Sequence, residues 1–238
     1  MALRDATRLQ GDVVSEGCDN KVVVIDDAGD RLGAAIAHHL ARAGARLVLG
    51  YREAAGRGVR ELAHALRWDG AQALAVPAHA ARPGHCAGLV SAALAHYGRF
   101  DLVLTHHIVR SAAAPERNCA CHARLYGAAA AILYTPQCPP GRLVDLTLGA
   151  AVHDRCRDPM AAICGPLEDE LAGYGIQATR IHVSDPDPLR WREAHTAGQR
   201  GAPAAQLEQA AACLARTIGL IMDAAEATRF DQIRIALG

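Results

Sequence analysis

Seven short runs rich in β-branched residues and leucine, near 21–26, 46–51, 72–77, 101–105, 142–147, 176–183 and 232–236, alternate with alanine-rich stretches of helical period. That alternation restricts the chain to an α/β fold in which helices cover both faces of a parallel sheet, since a crossover between parallel strands needs a helix or its equivalent in length. The first helix can be drawn in detail. Leu32, Ile36 and Leu40 fall on one face, and Gly44 supplies a stop. Residues 1–20 carry no strong pattern and read as a mobile arm before a single domain over 21–238. The segment 184–203, with Pro186, Pro188 and Pro203 around Trp191, reads as an irregular excursion over the sheet edge.

Composition narrows the function classes. The 238 residues are 51% hydrophobic, enough for a sizeable core, and 25 basic residues balance 25 acidic ones. A chain with no basic field is not expected to bind nucleic acid or an anionic membrane. No apolar run approaches bilayer-spanning length and no signal-peptide core is seen, so the expected location is cytoplasmic. Eight cysteines scattered through helices and loops read as free thiols of a reducing compartment. Cys119-Ala120-Cys121-His122 lacks the usual zinc spacing, and no metal site is expected.

The first strand, Val22-Val23-Val24-Ile25, runs into Asp26-Asp27-Ala28-Gly29-Asp30-Arg31-Leu32-Gly33. In such a turn glycines let the backbone approach a dinucleotide pyrophosphate, and the following helix offers its free N–H groups and positive dipole end. Here Asp26, Asp27 and Asp30 compete for that end. Aspartates are good caps, so the local fold should survive while phosphate binding should suffer. In open α/β sheets the ligand crevice lies beyond the carboxyl ends of the strands, where His79, His106, His107, Thr147, His153 and His182 should arrive. Of these, Thr147, His153 and His106 are the acid/base candidates. Adjacent on one strand, His106 and His107 should point to opposite sides. Arg190-Trp191-Arg192 offers a clamp for an acidic ligand or a solvated pair.

Several segments together resemble the short-chain dehydrogenase/reductase family from Lys21 to Gly238. They are Arg31-Leu32-Gly33 with Gly50-Tyr51-Arg52, Gly98-Arg99-Phe100-Asp101-Leu102-Val103-Leu104, Gly141-Arg142-Leu143-Val144, Glu170-Leu171-Ala172 with Tyr174-Gly175-Ile176, and Gln232-Ile233-Arg234-Ile235. The first turn is most similar to the pteridine-reductase branch. The resemblance implies a Rossmann-like doubly wound sheet of about seven strands, a nicotinamide cofactor, and oligomers built on two crossover helices and the last strand. The family's signature positions depart from this frame. Its threonine and three glycines of the first turn are matched by Asp26, Asp27, Arg31 and Gly33, its Asn-Asn-Ala-Gly by Thr105-His106-His107-Ile108, its catalytic asparagine by Arg124, and its catalytic serine by Leu148. Its Tyr-x-x-x-Lys pair exists nowhere, because Lys21 is the only lysine and Gly17 stands four residues before it. The nearest counterpart, His153-Asp154-Arg155-Cys156-Arg157, has the spacing of the tyrosine and arginine of the related halohydrin dehalogenases, without the tyrosine.

Three functional readings remain. The favoured one is a catalytically silent subunit with a degenerate loop (Asp26, Asp27, Gly29, Arg31, Gly33) and no cofactor, assembling with itself or with an active family member. The second is a cofactor-independent lyase, isomerase or cyclase acting on a small molecule through Thr147, His153 or His106. The third is an atypical carbonyl reductase that holds NADP through Arg31 and Arg52; the three aspartates and the missing lysine count against it.

Overall fold

The computed structural model describes residues 16–78, 85–108, 126–136, 141–149, 169–184, 204–225, 228 and 232–236. The described residues form seven strands, β1 (Val22–Ile25), β2 (Arg46–Tyr51), β3 (Gln72–Pro77), β4 (Leu102–Ile108), β5 (Arg142–Gly149), β6 (Ala178–Ser184) and β7 (Gln232–Ala236). They form one sheet in the order β3-β2-β1-β4-β5-β6-β7, every pair parallel. The order reverses between β1 and β4, which is where such sheets open a crevice. The described helices are α1 (Arg31–Arg42), α2 (Gly56–Trp68), α3 (His85–Tyr97), α4 (126–133), α5 (169–173) and α6 (Ala204–Asp223). None of the described helices is long and apolar enough to cross a membrane.

Strand alternation sorts the core into two layers. Val23, Ile25, Leu47, Leu49, Leu102 and Leu104 face α1, α2 and α6, where Leu32, Ile36, Leu40, Leu66, Leu214 and Ile218 are buried. Val22, Val24, Val48, Val103 and Leu143 face the other way, onto Leu89, Val90, Ala93, Ala128 and Ile132 of α3 and α4. Fully burying one such aliphatic side chain stabilises by about 1.5–3 kcal/mol, so register is held on both faces.

The expected helix stop at Gly44 is a Schellman closure. Gly44 has φ +85°, its N–H donates to the Ala41 carbonyl, and that of Ala45 donates to the Leu40 carbonyl. Gly70 and Gly175 close α2 and α5 with the same pair of bonds. The far end of α6 is held differently: the Arg142 guanidinium donates to the carbonyls of Ile221 and Ala224, a cation placed at the negative end of the helix dipole.

Two sequence expectations meet residues outside this description. Of the excursion read over 184–203, Ser184 instead ends β6, and 185–203 lie outside the described residues, as does the stretch 1–15 of the arm. Residues 16–20, read as part of that arm, contribute a 3-10 turn (Glu16–Cys18) with Cys18 fully buried and Gly17 packed against α6. Three residues are too short for a periodic signal, which is why the sequence pattern misses them.

Candidate functional site at the switch point of the sheet

The β1–α1 turn is strapped on both sides by backbone bonds, Asp26 N–H to the Leu104 carbonyl at 3.0 Å and Ala28 N–H to the Gly50 carbonyl at 2.8 Å. Its carboxylates do not converge on the helix end as the sequence suggests; Asp27 pairs with Arg52, while Asp26 and Asp30 share His106. Asp30 is the N-cap of α1, with Oδ1 accepting from Gly33 N–H at 2.8 Å. Asp27 folds back so that Oδ1 accepts from Gly29 N–H at 3.1 Å, while Oδ2 lies 3.0 Å from Arg52 Nε. Asp26 is buried beside His106, whose Nδ1 is 4.0 Å from Asp26 Oδ1.

His106 reaches this cluster from β4. Its Nε2–H donates to Asp30 Oδ2 at 2.8 Å, so one carboxylate caps α1 with one oxygen and takes the imidazole with the other. The ring is only 3% exposed. Burial works against its charge, but the Asp30 charge and hydrogen bond, followed by Asp26 and Asp27, outweigh it and raise the His106 pKa above the ordinary histidine value.

Gly29 and Gly33 are held for packing. A β-carbon at Gly29 would come within 2.6 Å of Ala55 Cβ, in the 3-10 turn Glu53–Ala55 that follows β2. One at Gly33 would meet the Asp27 carbonyl oxygen at 2.7 Å, Ala28 Cα at 3.2 Å and the His106 ring at 3.2 Å. Gly33 therefore lets α1 lie close on the turn, the helix–strand packing role of the last glycine in a dinucleotide fingerprint. Arg31 opens α1 one residue after the cap.

Thr147 belongs to a different place. In the β4–β5 register His106 aligns with Leu146, and Thr105 with Asp145. Leu146 faces α1 and α6, so Thr147 and His106 lie on opposite faces of the sheet. The structure does not bring these two candidates together. Thr147 instead joins a buried polar group that the sequence reading missed: Thr105 Oγ1 donates to Asp145 Oδ1 at 2.7 Å and Thr147 Oγ1 to Asp145 Oδ2 at 3.3 Å. Buried Arg180 aligns with Asp145 and half-buried His182 with Thr147 on the neighbouring β6. A charge inside Leu143-Val144-Asp145-Leu146 is the signal that marked this group, since a buried strand rarely carries a carboxylate without donors.

The remaining candidates are placed less fully. His153, His79, Arg124, the 119–122 cluster and Arg190-Trp191-Arg192 lie outside the described residues, and His107 is described only by its place in β4. Among the described residues no group of three or more His, Cys, Asp or Glu is arranged to hold a metal ion. The only lysine sits at the other end of the sheet, with Lys21 Nζ 3.9 Å from Asp101 Oδ1 just before β1.

Comparison with known proteins agrees with this architecture. Residues 28–120 match the family model described as enoyl-(acyl carrier protein) reductase. An uncharacterised oxidoreductase of Methylorubrum extorquens is 29% identical over 201 residues, 77% of this chain and 79% of that protein. A probable tetrahydroxynaphthalene reductase of Zymoseptoria tritici is 34% identical over 91 residues, 37% of this chain and 33% of that one. A short-chain type dehydrogenase/reductase from Mycobacterium marinum superposes with a TM-score of 0.68 at 17% identity, covering 94% of this chain and 98% of that one. A metagenomic short-chain oxidoreductase solved in complex with NADP gives 0.64 at 15%, covering 93% and 99%. At these identities the two structures show a shared fold. With a seven-stranded parallel sheet in this order, the chain shares the fold of these short-chain dehydrogenases/reductases, and its residues 28–120 are similar in sequence to the enoyl-(acyl carrier protein) reductase model.

Proposed function

We propose that this protein is a catalytically silent member of the short-chain dehydrogenase/reductase family, a cytoplasmic subunit that assembles with itself or with an active relative. The observation that carries the reading is the internal use of the phosphate-binding groups. A pyrophosphate at this turn needs free N–H groups at the start of α1 and a field that favours anions. Gly33 N–H is given to Asp30, Gly29 N–H is given to Asp27, and Asp26 is buried in the same turn. A dinucleotide would have to displace two hydrogen bonds and then sit against like charge. These residues do not fit it.

The absence of lysine from the crevice supports the same reading, because a phenol or other acid there has no ammonium to lower its pKa. Exposed Tyr134 on the segment after α4 and Leu220 on α6 are compatible with subunit contacts there. The pairing of Arg31-Leu32-Gly33 with Gly50-Tyr51-Arg52 supports descent from the pteridine-reductase branch.

A second reading keeps one specific observation, the buried Thr105–Asp145–Thr147 group with His182 beside it, which would serve a cofactor-independent reaction on the α4 side of the sheet. Expression of the chain alone and with the products of neighbouring genes, followed by mass measurement of the assembly, separates the two. A complex with an intact dehydrogenase whose turnover survives Thr147→Ala and His153→Ala in this chain supports the silent subunit. Activity of the purified chain that vanishes in those variants refutes it.

A further inference from the structure

We propose that His106 is a proton-operated latch that fixes the first turn of α1 to β4, engaged while the imidazole carries its second proton and loosened when that proton leaves. The geometry is a relay through one side chain. Asp30 joins Gly33 N–H to His106 Nε2, both at 2.8 Å, so the cap of α1 and the end of β4 share a single carboxylate. The two residues are 76 positions apart, and this bond ties a local helix start to a neighbouring element of the sheet. The inference concerns the conformation of α1 and stands whether or not the crevice takes a dinucleotide.

The groups facing the ring set the sign. From the β1–α1 segment come Asp26, Asp27 and Asp30, with Arg52 beyond β2 committed to Asp27. From β5 the register neighbour is Leu146, and α1 presents Gly33. The protonated ring thus balances a surplus of negative charge in a site almost free of solvent. Its folded pKa is raised, so the stabilisation is complete below the ordinary histidine range and is lost as pH rises through the folded value. Above that point the imidazole still donates one hydrogen bond to Asp30, but the cap loses its counter-charge.

Nuclear magnetic resonance of the whole chain tests the latch in two readouts. The His106 ring titration should have a midpoint above 6.5, and the hydrogen-exchange protection factor of Gly33 should fall roughly fivefold across that midpoint, the size of a typical charge–cap effect. Protection of β2 amides should not follow. Asp30→Asn keeps a capping oxygen while removing the charge, and should lower the midpoint. In His106→Asn the pH dependence of Gly33 protection should vanish. A wild-type midpoint at or below 6.5, Gly33 protection that ignores the titration, or unchanged pH dependence in His106→Asn would overturn the proposal; if that variant does not fold, the wild-type and Asp30→Asn titrations decide it.

Discussion

Gly33→Ala and Gly58→Ala make the same chemical change in two helices and should shift stability in opposite directions. In a helix, replacing glycine by alanine gains about 0.5–1 kcal/mol from restricted unfolded-state freedom. At Gly58, exposed in α2 with nothing within 4 Å of the new methyl, only that gain operates. At Gly33 the methyl would lie 2.7 Å from the Asp27 carbonyl oxygen and 3.2 Å from Ala28 Cα. Both are backbone atoms of a turn strapped to β4 and β2, so neither can swing away as a flexible side chain would. Overpacking of this kind costs about 1–3 kcal/mol, and with rigid backbone on two sides the upper half of that range applies, leaving a net loss of about 1–2.5 kcal/mol. For a chain of this size each kcal/mol moves the midpoint by roughly 2–4 °C. Thermal unfolding followed by circular dichroism, at fixed protein concentration because assembly shifts apparent Tm, should show Gly33→Ala below wild type and Gly58→Ala above it. A Gly33→Ala midpoint equal to or above wild type would refute the packing role assigned to this glycine.

Arg142→Leu removes the guanidinium that donates to the Ile221 and Ala224 carbonyls at the end of α6 and should cost about 1–3 kcal/mol, read as a lower urea midpoint with unchanged m-value. Thr105→Val withdraws the 2.7 Å donor from buried Asp145 and should destabilise by about 1–3 kcal/mol, whereas Thr147→Val, losing a 3.3 Å contact, should cost less in the same urea series. Asp30→Ala should lose about 1–2 kcal/mol of helix capping, and in thermal melts Asp30→Asn should recover most of it above the His106 titration, where the neutral ring needs no counter-charge.

The strands were legible because each is a run of apolar and β-branched residues bounded by a turn, and β2, β3 and β7 begin and end where their pattern does. The helix stop at Gly44 was legible for a local reason too, since only the residue type and its position after the periodic stretch are needed. The site was not local. Asp30 and His106 meet only because the chain places β4 beside β1, so a sequence scan sees three repelling carboxylates where the fold supplies a histidine and Arg52. Thr147 and His106 looked like companions by their place at strand ends. Their separation follows from the β4–β5 register, which aligns His106 with Leu146 and which no single strand contains. The Asp145 group was readable in principle as a carboxylate in an apolar run, but its donors come from two strands.

The account turns on whether the switch-point turn accepts a nicotinamide dinucleotide, and direct titration of the purified chain measures that. NADPH and NADH followed by fluorescence, with calorimetry for the oxidised forms, should give no saturable binding up to ~1 mM, a threshold equivalent to about 4 kcal/mol of binding free energy. Saturation in the micromolar range, abolished by Arg52→Ala, would contradict the account.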